Sequence, residues 1–253
     1  MNTDEHLEHM MAELCRRPDR GVTPRLRIAV LSTPRCGSSL FCDAMTQTGK
    51  LGEPLEYFNP RYIAAFSRVT GRTRVNLAEY KSFIENATTS PNGIFAVNIH
   101  VGQIEALEQR GLRLPMQYFD HVIYLWRQNR LRQAYSLAKA NATDQWSADL
   151  EQARELTVDD VSPTACVMAL YQIAHQVDVF EQRFRSLTAK SYVYETFAQD
   201  PAGAVADVAG DLGVDAANLD VRPRMQRQSA PAEEPAYRSF LRFLGVESGN
   251  NAG

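Results

Sequence analysis

The sequence lacks a hydrophobic run long enough to cross a bilayer: the longest, around Ala165 to Tyr171, falls far short of the ~20 residues a spanning helix needs. Its opening segment, MNTDEHLEHMMAELCRRPDRG, is charged throughout and has no apolar centre of the signal-peptide kind, so a cytoplasmic protein is expected. Cysteine is scarce. Cys15, Cys36, Cys42 and Cys166 show no CxxC spacing and no neighbouring histidine, so reduced structural thiols and no metal are expected. Positive charge is not in excess either, with 27 Lys+Arg against 30 Asp+Glu. That balance argues against a protein that coats nucleic acid through its overall field, and any anion must be gripped by a local cluster. There is no internal repeat and no low-complexity tract.

The chain of 253 residues, 44% hydrophobic, suits one domain over residues 23–248 behind an N-terminal extension over 1–22. The first ~20 residues and the last five or so read as loose. Strand candidates are RIAVLS (Arg27 to Ser32), GIFAVNI (Gly93 to Ile99), DHVIYLW (Asp120 to Trp126) and SYVYE (Ser191 to Glu195). Helical patterns between them imply an α/β fold whose parallel sheet is covered on both faces. The longest helix is expected over about Val161 to Leu187, its core stripe running through Ala165, Met168, Tyr171, Gln172, His175, Val179 and Phe180. Asp200 and Pro201 read as the N-cap and first residue of another helix that stops at Asp211 to Gly213. A last helix is expected from Glu233 to Leu244.

The stretch IAVLSTPRCGSSLFCDAM (Ile28 to Met45) runs from strand through a tight turn into helix. Such a junction gathers backbone N–H groups and the positive end of the helix dipole at one point, where an anion can sit. Gly37 permits close approach, Ser38 and Ser39 add hydroxyls, and Arg35 adds a charged fork. The plain alternative is a connection with Ser38 as N-cap. The pattern GxxxxGK[ST] of nucleotide triphosphatases is absent, since Gly49-Lys50 follows the helix instead of opening it. A cysteine phosphatase loop is excluded too, because Cys42 stands where its arginine belongs.

A second strand-to-helix junction, LWRQNRLRQAYSLAKA, carries Arg127, Arg130 and Arg132. If the two strands are neighbours, both junctions face one crevice, which suits an extended ligand with two separate anionic groups. The alternative is a solvated helix start. The loop GKLGEPLEYFNP (Gly49 to Pro60) adds Glu53 and Glu56. Carboxylates beside an anion site suggest a base or ligands for hydroxyls, although surface glutamates are the commoner outcome.

Together, STPRCGSSLFCDAMTQTGKLGEPLEYF and LWRQNRLRQAYSLAKA resemble the Stf0 family of bacterial sulfotransferases, in order and spacing from about Arg27 to about Leu244. The resemblance implies a P-loop-like three-layer fold with a mostly parallel sheet flanked by helices. It also implies transfer of a sulfuryl group, without a metal, from 3′-phosphoadenosine 5′-phosphosulfate (PAPS) to a sugar hydroxyl or other small-molecule acceptor such as a glycolipid. Arg35, Cys36, Gly37, Ser38 and Ser39 would hold the 5′-phosphosulfate, with Cys36 in place of the usual serine. Arg127 and Ser136, with Arg132 beside them, match the 3′-phosphate positions, and Arg227 and Gln228 a segment that closes over the nucleotide. Glu56 matches the general base and Glu53 a ligand for acceptor hydroxyls; Arg35 would stabilise the leaving group. The family commonly has a lysine near Asn98, an acid near Asn129 and an acid at Ala230. A homodimer is also implied.

His100, at the end of the second strand, is the one histidine expected to face the crevice and touch acceptor. His6 and His9 lie in the expected loose segment, and His175 on the long helix. Two rival readings stand beside the sulfotransferase: a nucleotide kinase-like P-loop enzyme, which needs a P-loop lysine and a magnesium-binding acid, and a non-catalytic nucleotide- or sugar-binding relative.

Overall fold

The computed structural model describes residues 3–144, 161–215, 221 and 234–246. Four strands form one sheet in the order β2-β1-β3-β4: β1 (Leu26–Ser32), β2 (Ile94–His100), β3 (His121–Trp126) and β4 (Thr188–Val193). Every pairing is parallel. The register sets the last residue of β1, Ser32, level with His100 on one side and Leu125 on the other. Three strand ends therefore open on the same edge.

Residues Ile28 to Ser32 of β1 and Ile94 to Ile99 of β2 are buried without alternation, as expected for strands covered on both faces. Period-two geometry divides them between two cores. Ala29, Leu31, Phe95, Val97 and Ile99 face a layer built from α1 (Thr3–Arg16), α3 (Pro60–Thr70), α4 (Leu77–Thr88) and α5 (Val101–Gln109). Ile28, Val30, Ile94 and Ala96 face α2 (Ser38–Gln47) and α9 (Pro201–Asp211). A third cluster joins α6 (Arg130–Thr143), α7 (Pro163–Arg183) and α10 (Glu234–Phe243) through Leu137, Ile173 and Phe240.

The expected elements are present, with three corrections. The first residues are not loose: α1 buries Leu7, Met11 and Leu14 in the main core and packs on α3. A helix so rich in charge reads as solvated, yet its apolar positions at steps of four and three make one buried stripe. The core stripe of α7 is also rotated from the expected one. Cys166, Ala169, Ile173, Gln176 and Phe180 are buried, whereas Met168 and Tyr171 are exposed and His175 pairs with Glu105 across 3.0 Å. The fourth strand begins earlier, at Thr188, and stops at Val193, where the short helix α8 (Tyr194–Phe197) takes over. Its polar start hid it, because Lys190 sits on the strand paired to Asp207 and Asp211 of α9. The cap of α9 is as expected: Asp200 accepts from the Gly203 amide and Pro201 opens the helix.

Candidate functional site

The turn after β1 contains two residues in left-handed backbone conformation, Arg35 (φ 62) and Gly37 (φ 87). Gly37 occupies the N-cap position of α2, and no side chain caps that end. Ser38 therefore begins the helix instead of capping it. A Cβ at position 37 would lie 2.4 Å from Cδ2 of Tyr194, so glycine allows α8 to press on the turn. Cys36 is fully buried in the core on the α2 side of the sheet. Burial pushes its thiol up to about 11, which keeps it neutral. Ser39 is exposed, and Ser38 is buried with its Oγ 3.4 Å from Nδ2 of Asn98.

The two junctions meet, as their neighbouring strands require. Arg35 Nε donates to Ser136 Oγ on α6 at 2.9 Å, and Arg127 Nη1 donates to the carbonyl of Arg35 at 3.3 Å. Gln133 Nε2 braces the turn from α6, donating to Thr33 Oγ1 (2.9 Å) and Pro34 O (2.7 Å). The Arg127 guanidinium lies 4.6 Å over the Tyr194 ring, while its buried Nε has no hydrogen-bond partner. Glu195 Oε1 is 3.8 Å from that nitrogen, close enough for attraction and too far for a hydrogen bond. Burial weakens Arg127's hold on its proton, and the charge of Glu195 offsets part of that loss. Arg132 instead covers the Tyr237 ring at 4.4 Å, and Asn129 caps α6 by accepting from the Arg132 amide.

Glu195 was missed at sequence level. Its carboxylate accepts from the amides of Gln128 and Asn129 at 2.9 and 3.0 Å, filling the start of α6 with a side-chain anion. Position alone carried a signal, since an acid directly after a strand end is well placed to meet the neighbouring strand's junction.

The loop from Gly49 to Pro60 is tied to β2 where the Asn98 backbone amide donates to Leu55 O (2.9 Å). Glu56 Oε2 accepts from Asn59 Nδ2 (3.0 Å) and Gln103 Nε2 (2.6 Å), and Oε1 meets His100 Nε2 at 3.2 Å. Burial by itself raises a carboxyl, but the His100 charge and these hydrogen bonds win and hold Glu56 down at about 2. Glu56 is thus ionised at neutral pH. Glu53 has different company: Arg17 Nη1 at 2.6 Å and Arg20 Nη2 at 2.9 Å, both from the segment after α1. Sequence reasoning gave Glu53 no cation, because its partners lie more than thirty positions away in the chain. Arg227, Gln228 and Ala230 lie outside the described residues. Among the described residues no group of three or more His, Cys, Asp or Glu is arranged to hold a metal, and no helix is long and apolar enough to cross a membrane.

The model of the Stf0 sulphotransferase family matches residues 28–236. No curated protein matches the chain. Solved structures similar to it include a sulfotransferase from Alicyclobacillus acidocaldarius, 15% identical over 89% of this chain and 98% of that one, with a TM-score of 0.45. The sulfotransferase domain of the Synechococcus PCC 7002 olefin synthase is 14% identical over 94% of each chain, with a TM-score of 0.48. Sulfotransferase STF9 from Mycobacterium avium is 13% identical over 95% of this chain and 72% of that one, with a TM-score of 0.44.

Proposed function

Because the chain belongs to the Stf0 sulphotransferase family, we propose that it transfers a sulfuryl group from PAPS to a hydroxyl of a carbohydrate or other small-molecule acceptor. The observation that carries the choice of donor is Arg127. A half-buried guanidinium whose Nε has no hydrogen-bond partner, beside a strand-to-helix turn whose N-terminus no side chain caps, suits a nucleotide with two separate anionic groups.

When bound, PAPS supplies a sulfuryl group on a nucleotide able to leave with its negative charge. The chain's residues do the rest. The turn from Arg35 to Ser39 binds the 5′ end, with Arg35 placing charge where the leaving oxygen becomes anionic. Ser136 steadies Arg35 through its Oγ, and Arg127 takes the 3′-phosphate with Arg132 alongside. Glu56 removes the proton from the acceptor oxygen as the new oxygen–sulfur bond forms and the bond to the nucleotide breaks. His100 and Glu53 border the acceptor side, and Arg227 and Gln228, outside the described residues, are further candidates for contact with the nucleotide.

Calorimetric binding of 3′-phosphoadenosine 5′-phosphate, AMP and ATP, without magnesium, tests the donor. The bisphosphate is expected to win by tenfold or more, worth ~1.4 kcal/mol, and Arg127→Ala to erase that preference. ATP binding as tightly as the bisphosphate would overturn the donor assignment. Glu56→Gln is expected to keep nucleotide affinity and lose ~10² to 10⁴-fold in turnover.

A further inference from the structure

A carboxylate that three donors hold as an ion makes a weak proton acceptor, so the surroundings of Glu56 need a way to release it. Its two oxygens are not equivalent. Oε2 is committed to Asn59 and Gln103, two neutral amides that keep donating whatever the pH. Oε1 faces His100 Nε2 at 3.2 Å, and this partner can change its charge.

The far side of the imidazole is built to tolerate that change. Nδ1 lies 2.8 Å from Ser32 Oγ, which is itself 3.4 Å from Asn98 Oδ1, and Ser32 and Asn98 are buried. With the ring charged, Nδ1–H donates to Ser32 and the serine proton turns toward Asn98. With the ring neutral and its proton on Nε2, Ser32 turns and donates to Nδ1. Rotation of one hydroxyl serves both states, and neither strands a buried donor.

We propose that His100 is a positioning residue for Glu56: while charged it locks the carboxylate as its ion partner, and once neutral it gives up that ion pair, so that Oε1 becomes the better proton acceptor while Nε2–H still aims it. This rests on Glu56 being the base. The other titratable groups that sense Glu56 are Tyr62 from α3 and Cys42 from α2, both raised by burial and therefore neutral. Cys36, which bonds to Ser32, is raised to about 11 in the same way. Asn98 belongs to the device as the acceptor that receives the Ser32 proton in the charged state.

The test is an NMR titration of the whole chain from pH 3 to 9. The Glu56 carboxyl signal is identified by its loss in Glu56→Gln. In His100→Gln the Glu56 carboxyl signal is expected to titrate higher, toward the ordinary glutamate range. A Glu56 midpoint in His100→Gln that stays within 0.3 pH units of wild type would overturn the proposal, because the imidazole would then have no hold on the carboxylate. Calorimetry with 3′-phosphoadenosine 5′-phosphate on the same samples separates the two readings. No nucleotide binding overturns the donor assignment and leaves the coupled titration standing; intact binding with uncoupled midpoints overturns only the role of His100.

Discussion

Replacing Gly37 by alanine asks whether the first turn is held by geometry or merely tolerates it. Position 37 has φ 87, a left-handed conformation that costs an L-residue roughly 1–2 kcal/mol. The added methyl would sit 2.4 and 2.8 Å from Cδ2 and Cε2 of Tyr194 and 3.1 Å from Cζ of Phe197. Those rings cannot step aside freely. Phe197 packs edge-on against Phe41 at 5.3 Å, and Tyr194 carries the Arg127 guanidinium at 4.6 Å. Overpacking of this kind adds roughly 1–3 kcal/mol, for a total of about 2–5 kcal/mol. At ~2–4 °C per kcal/mol, the melting temperature should fall by roughly 4–20 °C. Gly71→Ala supplies the control: φ is 66, but a Cβ meets nothing within 4 Å, so only the backbone penalty of about 1 kcal/mol applies. Urea and thermal unfolding followed by circular dichroism measure both. A Gly37→Ala protein as stable as Gly71→Ala would show that α8 does not press on the turn. Below its melting point the variant should also bind 3′-phosphoadenosine 5′-phosphate more weakly, because moving Tyr194 moves Arg127.

Met11 is fully buried on α1, so Met11→Ala should cost about 2–5 kcal/mol in urea unfolding, and a cost under 0.5 kcal/mol would return the first helix to the periphery. The Glu56 carboxyl is held at about 2 in the fold against an ordinary 4.5. Its stabilising contribution is therefore complete above about pH 4.5 and is lost as pH falls toward 2. The unfolding free-energy gap between wild type and Glu56→Gln should narrow by about 2 kcal/mol from pH 6 to pH 3, and a constant gap would refute the ionised pairing. Cys15 is exposed whereas Cys36, Cys42 and Cys166 are buried, so an alkylating reagent should label the native chain once and the urea-unfolded chain four times by mass spectrometry. Rapid labelling of Cys36 in the native protein would contradict its place in the core.

The strands and most helices were legible because each carries its own local signal. β1, β2 and β3 are each built around a run of four or more apolar residues, and Asp200-Pro201 is a helix start that needs nothing from the rest of the chain. The errors fall where burial depends on a distant partner. The face of α7 was misphased because α6 and α10 cover one side of it and leave Met168 and Tyr171 bare. The start of β4 was missed because Lys190 is satisfied by two acids on α9.

The site divides the same way. Its residue types and spacing, from Arg35 to Ser39, through Glu53 and Glu56, to Arg127 and Ser136, stand in the sequence, since a turn's chemistry is written in consecutive residues. The company each side chain keeps was decided by the fold. Parallel register brings Ser32 level with His100, and a loop anchored at Asn98 sets Glu56 beside that imidazole. The N-terminal segment sends Arg17 and Arg20 to Glu53, and the end of β4 sends Glu195 to the amides at the start of α6. Charge and basicity depend on neighbours within a few ångströms, and in this chain those neighbours lie thirty to seventy positions apart, so only the tertiary structure could pair them.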